Sequence, residues 1–169
     1  LQDKIRNDDE LLIAQKNLQY QHRQSQIRPH VIINTIYSFI TLNQIGETEL
    51  LNDCFYKFAN ILRYVLSKEQ NTTLGKELDF LDSYCALFHL RFGDRIRYSI
   101  ACDDSLRDLP MPKLLLQPLV ENAVIHGIEP SEVPCTLNLT VQERGNKIYI
   151  IIEDSGVGFT PEQLSSPTS

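Results

Sequence analysis

"LLLQPLVENAVIHGI", residues 114–128, is the stretch on which the fold of this 169-residue chain turns. Read at helical spacing, Leu115, Leu116, Leu119, Val120 and Ala123 form an apolar face. Glu121, Asn122, Ile125 and His126 fall around adjacent turns, with Asn122 and His126 one turn apart on the helix surface. Asparagine is a poor residue for a helix interior, because its amide competes for backbone partners. Its carbonyl could instead ligate a hard cation such as Mg²⁺, which takes oxygen ligands and usually keeps waters and phosphate oxygens. A solvent-facing polar stripe accounts for the same residues, so the stretch alone leaves both readings open.

Downstream, "TLNLTVQE" alternates, "RGN" is a turn, and "KIYIIIED" is a continuous apolar strand. Residues 137–141 and 147–153 are therefore expected to pair as an antiparallel hairpin. The second strand ends in "EDSGVGF", 153–159. Gly156 and Gly158 let backbone approach a ligand closely, and a carboxylate such as Asp154 at a strand end can accept a hydrogen bond from an exocyclic amine. An ordinary turn is the alternative.

Upstream, "RIRYSIAC" is strand-like, and Pro110 and Pro112 bracket a loop. "NTTLGKELDFLDSYCALFHLRFGDR" predicts a helix capped by Thr72 or Thr73 and ending near Gly93. Residues 47–68 predict another, with Leu50, Leu51, Phe55, Phe58, Ile61, Leu62 and Val65 at three- and four-residue spacing. Before it, Leu11, Leu18, Ser25, Ile32 and Phe39 recur every seven residues and predict one long helix ending near Gly46. Pro29 lies inside that pattern, where proline costs roughly 3 kcal/mol and should kink the helix. His30 then takes a heptad position facing away from the seam, and Asn34 stands one turn beyond it. A pair of antiparallel helices joined by "QIGETE" exposes an apolar stripe, which two copies would bury as a four-helix bundle, so a homodimer is expected.

The bulk properties bound the function. At 42% apolar and 22% charged residues the chain is globular in type, and its net charge of −6 excludes a nucleic-acid binder held by a basic surface. No run approaches the ~18 apolar residues of a membrane span, and "LQDKIRNDDELL" lacks the features of a signal peptide. Cys54, Cys85, Cys102 and Cys135 show no metal-ligand spacing and are expected to be reduced packing residues. Two regions are expected, an all-helical 1–70 and a mixed α/β 71–169, with a polar, disordered tail at 160–169.

Taken together and in order, these motifs resemble a known family. "QIRPHVIINTI" is similar to the histidine box of bacterial sensor histidine kinases of the LytS-like type. "LRFGDRI" is similar to their connector, "LLLQPLVENAVIHGI" to their N box and "DSGVGF" to their first glycine box. The matches are colinear over residues 26–159. The resemblance implies an α+β fold: a dimerising helical hairpin, half of a four-helix bundle, followed by a truncated GHKL-type α/β sandwich, the ATPase fold shared by gyrase, Hsp90 and histidine kinases. It implies ATP and Mg²⁺ as cofactors and His30 as the phosphorylated residue, with Asn34 orienting its ring. Asn122 would hold Mg²⁺, with Glu121 a further candidate, and His126 would lie beside the phosphates or ribose. Asp154 would bind the adenine amine in a pocket shaped by Gly156 and Gly158. Arg91 and Phe92 would lie at the junction of the two regions. Phosphate would pass to an aspartate of a response regulator, often one carrying a LytTR domain, without direct nucleic-acid contact. The implied location is the cytoplasmic portion of an inner-membrane sensor, anchored by upstream segments.

The sequence departs from the family pattern at Val31, Ile32 and Ile33, where aromatic residues are usual, and at Tyr37, where a second asparagine is usual. The family's ATP lid and second glycine-rich segment find no counterpart before Ser169. These departures admit a second function, a dimerising and docking scaffold with an impaired ATP site.

Overall fold

The computed structural model describes residues 28–158. The heptad positions before Ile32, and the tail at 160–169, lie outside the described residues. Helix α1 (Pro29–Ile45) begins at the proline itself. The continuous helix expected through Pro29 is corrected here: Arg28 has φ −56° and ψ 129°, an extended conformation. The pyrrolidine ring disfavours helical geometry in the residue before it, whereas at the first helical position its missing N–H has no partner to lose. Pro29 therefore starts a helix rather than bending one.

Gly46, at φ 79° and ψ 14°, ends α1 in the left-handed conformation, and Glu47 donates its N–H back to the Leu42 carbonyl at 3.0 Å. Helix α2 (Thr48–Leu66) returns antiparallel, as expected. A short strand β1 (Asn71–Thr73) then leads into helix α3 (Leu74–Phe92), whose Thr73 hydroxyl accepts from the Lys76 amide at 3.4 Å. Strand β2 (Ile96–Cys102) follows a single 3₁₀ turn. Pro110 and Pro112 bound a third strand, β3 (Pro110–Pro112), rather than a loop; it pairs antiparallel with β1. Helix α4 (Gln117–Asn122) continues without a break into π-helical turns over Ala123–Ile128.

Strands β4 (Cys135–Arg144) and β5 (Lys147–Asp154) form the expected hairpin, with Gly145 at φ 64° in its tight turn. The sheet order is β2-β4-β5, with β2 parallel to β4 and β5 antiparallel at the edge. Helix α3 is the centre of the core. Its Leu78, Leu81, Tyr84, Cys85 and Phe88 pack in one buried cluster with Ile96 of β2, Leu137 and Leu139 of β4, and Val120 and Val124 of the α4 segment. Val31 of α1 and Ile61 of α2 join the same cluster. Cys54, Cys85 and Cys135 are buried free thiols, and burial pushes the Cys85 thiol up to about 12.

Candidate functional site

The face of α4 that packs inward is the expected one at Leu116, Val120 and Ala123, but not at Leu115 and Leu119. Leu115 and Leu119 are 42% and 52% exposed, whereas Gln117 and Glu121 are buried beside Val120 and Val124. The reason is a polar network reaching from α3. The Tyr84 hydroxyl donates to Glu121 Oε1, and Gln117 Nε2 donates to the same oxygen at 2.9 Å. Arg28 approaches the other oxygen, Nε to Oε2, at 3.0 Å. A carboxylate leaves water at small cost only when hydrogen-bonded and paired. Both oxygens of Glu121 are thus committed to protein groups, a different role from the Mg²⁺ ligand or phosphate neighbour anticipated for it. Burial, and then the negative charge of Glu121, push the Tyr84 hydroxyl well above the usual tyrosine range.

A second buried carboxylate sets where α4 begins. Glu77 of α3 is wholly buried and accepts from the backbone N–H of Leu114 at 2.9 Å and of Leu116 at 3.1 Å. It also accepts from the Tyr64 hydroxyl of α2 at 2.5 Å. Leu114 sits at φ 60°, a conformation a leucine adopts only when its surroundings impose it. The two Glu77 contacts on either side of Leu115 hold that turn and aim the helix that follows.

Asn122 and His126 are both exposed. The regular i, i+4 relation expected between them is altered, because Glu129 donates across five residues to the Val124 carbonyl at 2.7 Å. That wider turn carries Gly127 against the end of β5. A Cβ on Gly127 would stand 2.5 Å from Asp154 Oδ1, and one on Gly156 would overlap the carbonyl group of Gly127 itself. Val157 donates its N–H to the Gly127 carbonyl at 2.9 Å, and Gly156 donates to Asp154 Oδ1 at 2.9 Å. Asp154, Gly127 and Gly156 are therefore one tightly closed corner. Gly127 is the residue the sequence reading missed in this corner; the signal was the His126-Gly127 pair one turn beyond Asn122. Gly158 has φ 68°, the left-handed region that favours glycine.

The donor set suits Mg²⁺ held with a nucleotide. Among the described residues no three His, Cys, Asp or Glu side chains converge as a metal site of their own. The exposed Asn122 amide would then share the ion with water and phosphate oxygens, which is the usual habit of Mg²⁺.

His30 is exposed, two residues from the Arg28 side chain that meets Glu121. Asn34 Nδ2 lies 3.0 Å from His30 Nε2, within hydrogen-bond reach of the ring. Val31 and Thr35, on the neighbouring face of α1, are buried toward Leu87, Phe88 and Arg91 of α3. Arg91 forms an ion pair with Glu129 at 2.6 Å and lies over the Phe92 ring, so these two residues tie the end of α3 to the segment after α4.

Residues 18–96 match the family model described as histidine kinase. The chain is 34% identical over 146 residues, 83% of its length, to the sensor histidine kinase YpdA of Escherichia coli, of which it covers 25%. It is 32% identical over 151 residues, 88% of its length, to the sensor protein LytS of Oceanobacillus iheyensis, of which it covers 26%. Over 144 residues it is 32% identical to YwpD of Bacillus subtilis, a putative uncharacterized protein, covering 83% of this chain and 51% of that one. The chain carries a LytS-like histidine kinase core. The family segment ends at Ile96, before the N box, while alignments covering more than four-fifths of the chain take in both Asn34 and Asn122 wherever they begin. The kinase core spans between about a quarter and a half of the length of these relatives.

Proposed function

We propose that this kinase core transfers the γ-phosphoryl group of Mg·ATP to His30 and then to an aspartate of a response regulator. Two observations support the reading: an exposed imidazole at the start of α1, and the closed Asp154–Gly127–Gly156 corner on the helical segment that carries the exposed Asn122. Adenine would bind through its exocyclic amine to Asp154, whose Oδ2 is not engaged by another described group. Gly156 and Gly158 would shape that pocket, and Asn122 and His126 would face the phosphates. Bound Mg²⁺ would neutralise charge on the phosphate oxygens. Phosphoryl transfer asks the protein chiefly for positioning, because its transition state is loose.

An imidazole with its proton on Nδ1 keeps a lone pair on Nε2. Turning the Asn34 amide aside frees that pair to form the N–P bond as the bond from phosphorus to the β–γ bridging oxygen breaks and ADP leaves. The ring proton is then lost to water. Imidazole is well matched to the task, since its ordinary pKa of ~6.5 leaves it mostly neutral at pH 7.

Two copies would pair through the apolar groove of the hairpin, lined by Ile36, Phe39, Ile40, Leu51, Phe55 and Phe58. Three of these, Ile36, Ile40 and Phe55, together with the neighbouring Ile33, are large side chains about half exposed, which supports burial by a second hairpin. In this reading residues up to about 70 serve dimerisation and phosphate acceptance and the remainder binds nucleotide. The chain would be the cytoplasmic portion of an anchored sensor; among the described residues no helix is long and apolar enough to cross a membrane.

The test is labelling of the full-length protein with γ-labelled ATP. Label that is acid-labile and absent from His30→Gln is the expected result, and label persisting on His30→Gln refutes the assignment. Titration calorimetry with Mg·ATP separates the scaffold alternative, which predicts no heat.

A further inference from the structure

Arg28 holds two positions at once. Its backbone carbonyl accepts the first N–H groups of α1, from Val31 at 2.9 Å and Ile32 at 3.4 Å, so it is the residue from which the histidine helix starts. Its guanidinium meets Glu121, the residue immediately before Asn122, at 3.0 Å. The two ends differ in freedom. The Glu121 side chain is 6% exposed and is held by Tyr84 and Gln117, whereas the Arg28 side chain is 45% exposed. A carboxylate fixed from the inside thus presents one oxygen outward, and the only described cation on it comes from the residue two before His30. Pro29 stiffens the link between them, because its ring fixes φ and allows little play between Arg28 and the first helical turn. Val31 and Ile32, at this end of α1, pack on the apolar core, and apolar contacts are non-directional.

We propose that Arg28 is a positioning residue for phosphoryl transfer: its pairing with Glu121 sets the start of the histidine helix at a defined place relative to Asn122, and so the approach of His30 to the nucleotide. This rests on His30 as acceptor and on Asn122 as a phosphate-side residue. It assigns Arg28 and Glu121 no contact with ATP. Misplacement of a reacting group by an ångström is enough to slow a transfer step by orders of magnitude. The effect of losing Arg28 should therefore fall on kcat and leave nucleotide affinity alone.

In the full-length protein, Arg28→Gln is expected to lower kcat for autophosphorylation about tenfold, the equivalent of one charge-assisted hydrogen bond, with the KM for Mg·ATP nearly unchanged. Arg28→Lys, which keeps the charge, should recover most of the rate. Without nucleotide, hydrogen exchange at the amides of residues 31–35 should quicken in Arg28→Gln, while those of residues 78–88 in α3 should not. A kcat unchanged in Arg28→Gln overturns the proposal, whether or not exchange quickens. So does a KM that rises in step with any loss of rate, and so does failure of Arg28→Lys to recover more than the glutamine variant. Wild-type protein that takes no label is a different outcome: it overturns the assignment of His30, on which the proposal stands.

Discussion

Two buried glutamates, Glu77 of α3 and Glu121 of α4, are satisfied in opposite ways. Glu77 is enclosed on all sides; its partners are two backbone N–H groups and the Tyr64 hydroxyl, none of which can leave without unfolding something. Glu121 shares one oxygen between Tyr84 and Gln117 and offers the other to a half-exposed arginine. The first arrangement can only hold a structure. The second has one partner that can come and go at modest cost, since ion pairs with an exposed member contribute little net stability. Both glutamates act on the same helix, one at its entrance and one beside Asn122. The start of α4 is therefore held by groups that cannot leave, while the contact of Glu121 with Arg28 is one the protein can release.

Substitutions should separate the two sites in order of size. Glu77→Ala strands two backbone donors and a phenol in the interior, at about 1–3 kcal/mol each. The expected loss is about 3 kcal/mol or more, read as a lower urea midpoint, and a loss below about 1 kcal/mol would deny Glu77 its holding role. Gly156→Ala drives a methyl into the Gly127 carbonyl and should cost about 1–3 kcal/mol together with most Mg·ATP affinity, measured by calorimetry. Unchanged affinity would remove the Asp154 corner from the nucleotide site. Tyr84→Phe deletes one donor to Glu121 and should cost about 1–2 kcal/mol.

Tyr84→Phe should also change how stability responds to alkali. The folded protein holds the Tyr84 proton more tightly than the unfolded chain does, whose tyrosines ionise near pH ~10. The contribution is complete below that pH and is lost as pH climbs beyond it. The phenylalanine variant should accordingly lose less stability than wild type above pH ~10. Tyr98, pushed up to about 12 by burial and then by Asp82, contributes a further loss between pH ~10 and about 12 in both proteins. Arg28→Gln should be the mildest, within about 1 kcal/mol of wild type by the same urea measurement. If it instead matched Glu77→Ala, the two carboxylates would be equivalent supports and the contrast between them would fail.

Much of this molecule was legible from local signals. The caps at Thr73 and Gly46, the hairpin turn at Gly145 and the alternation of β4 each depend on residues a few positions apart, so the sequence declares them. The order of histidine box, connector, N box and glycine box, together with the asparagine turned toward the histidine one turn away, was also readable. What was misread had partners far along the chain. Leu115 and Leu119 were expected on the packed apolar face and Glu121 with the polar residues of the helix. The reverse holds because Tyr84 and Arg28, distant in sequence, reach Glu121 and not a leucine.

By itself, then, the sequence determined the succession of the main helices and of strands β2, β4 and β5, because capping, periodicity and turn geometry are properties of neighbouring residues. Only the tertiary structure decided that a π turn brings Gly127 onto Asp154, and that Arg28 beside the histidine meets the buried Glu121. Those outcomes depend on desolvation and close packing between segments separated by tens of residues, where the energy of a buried charge outweighs any local preference.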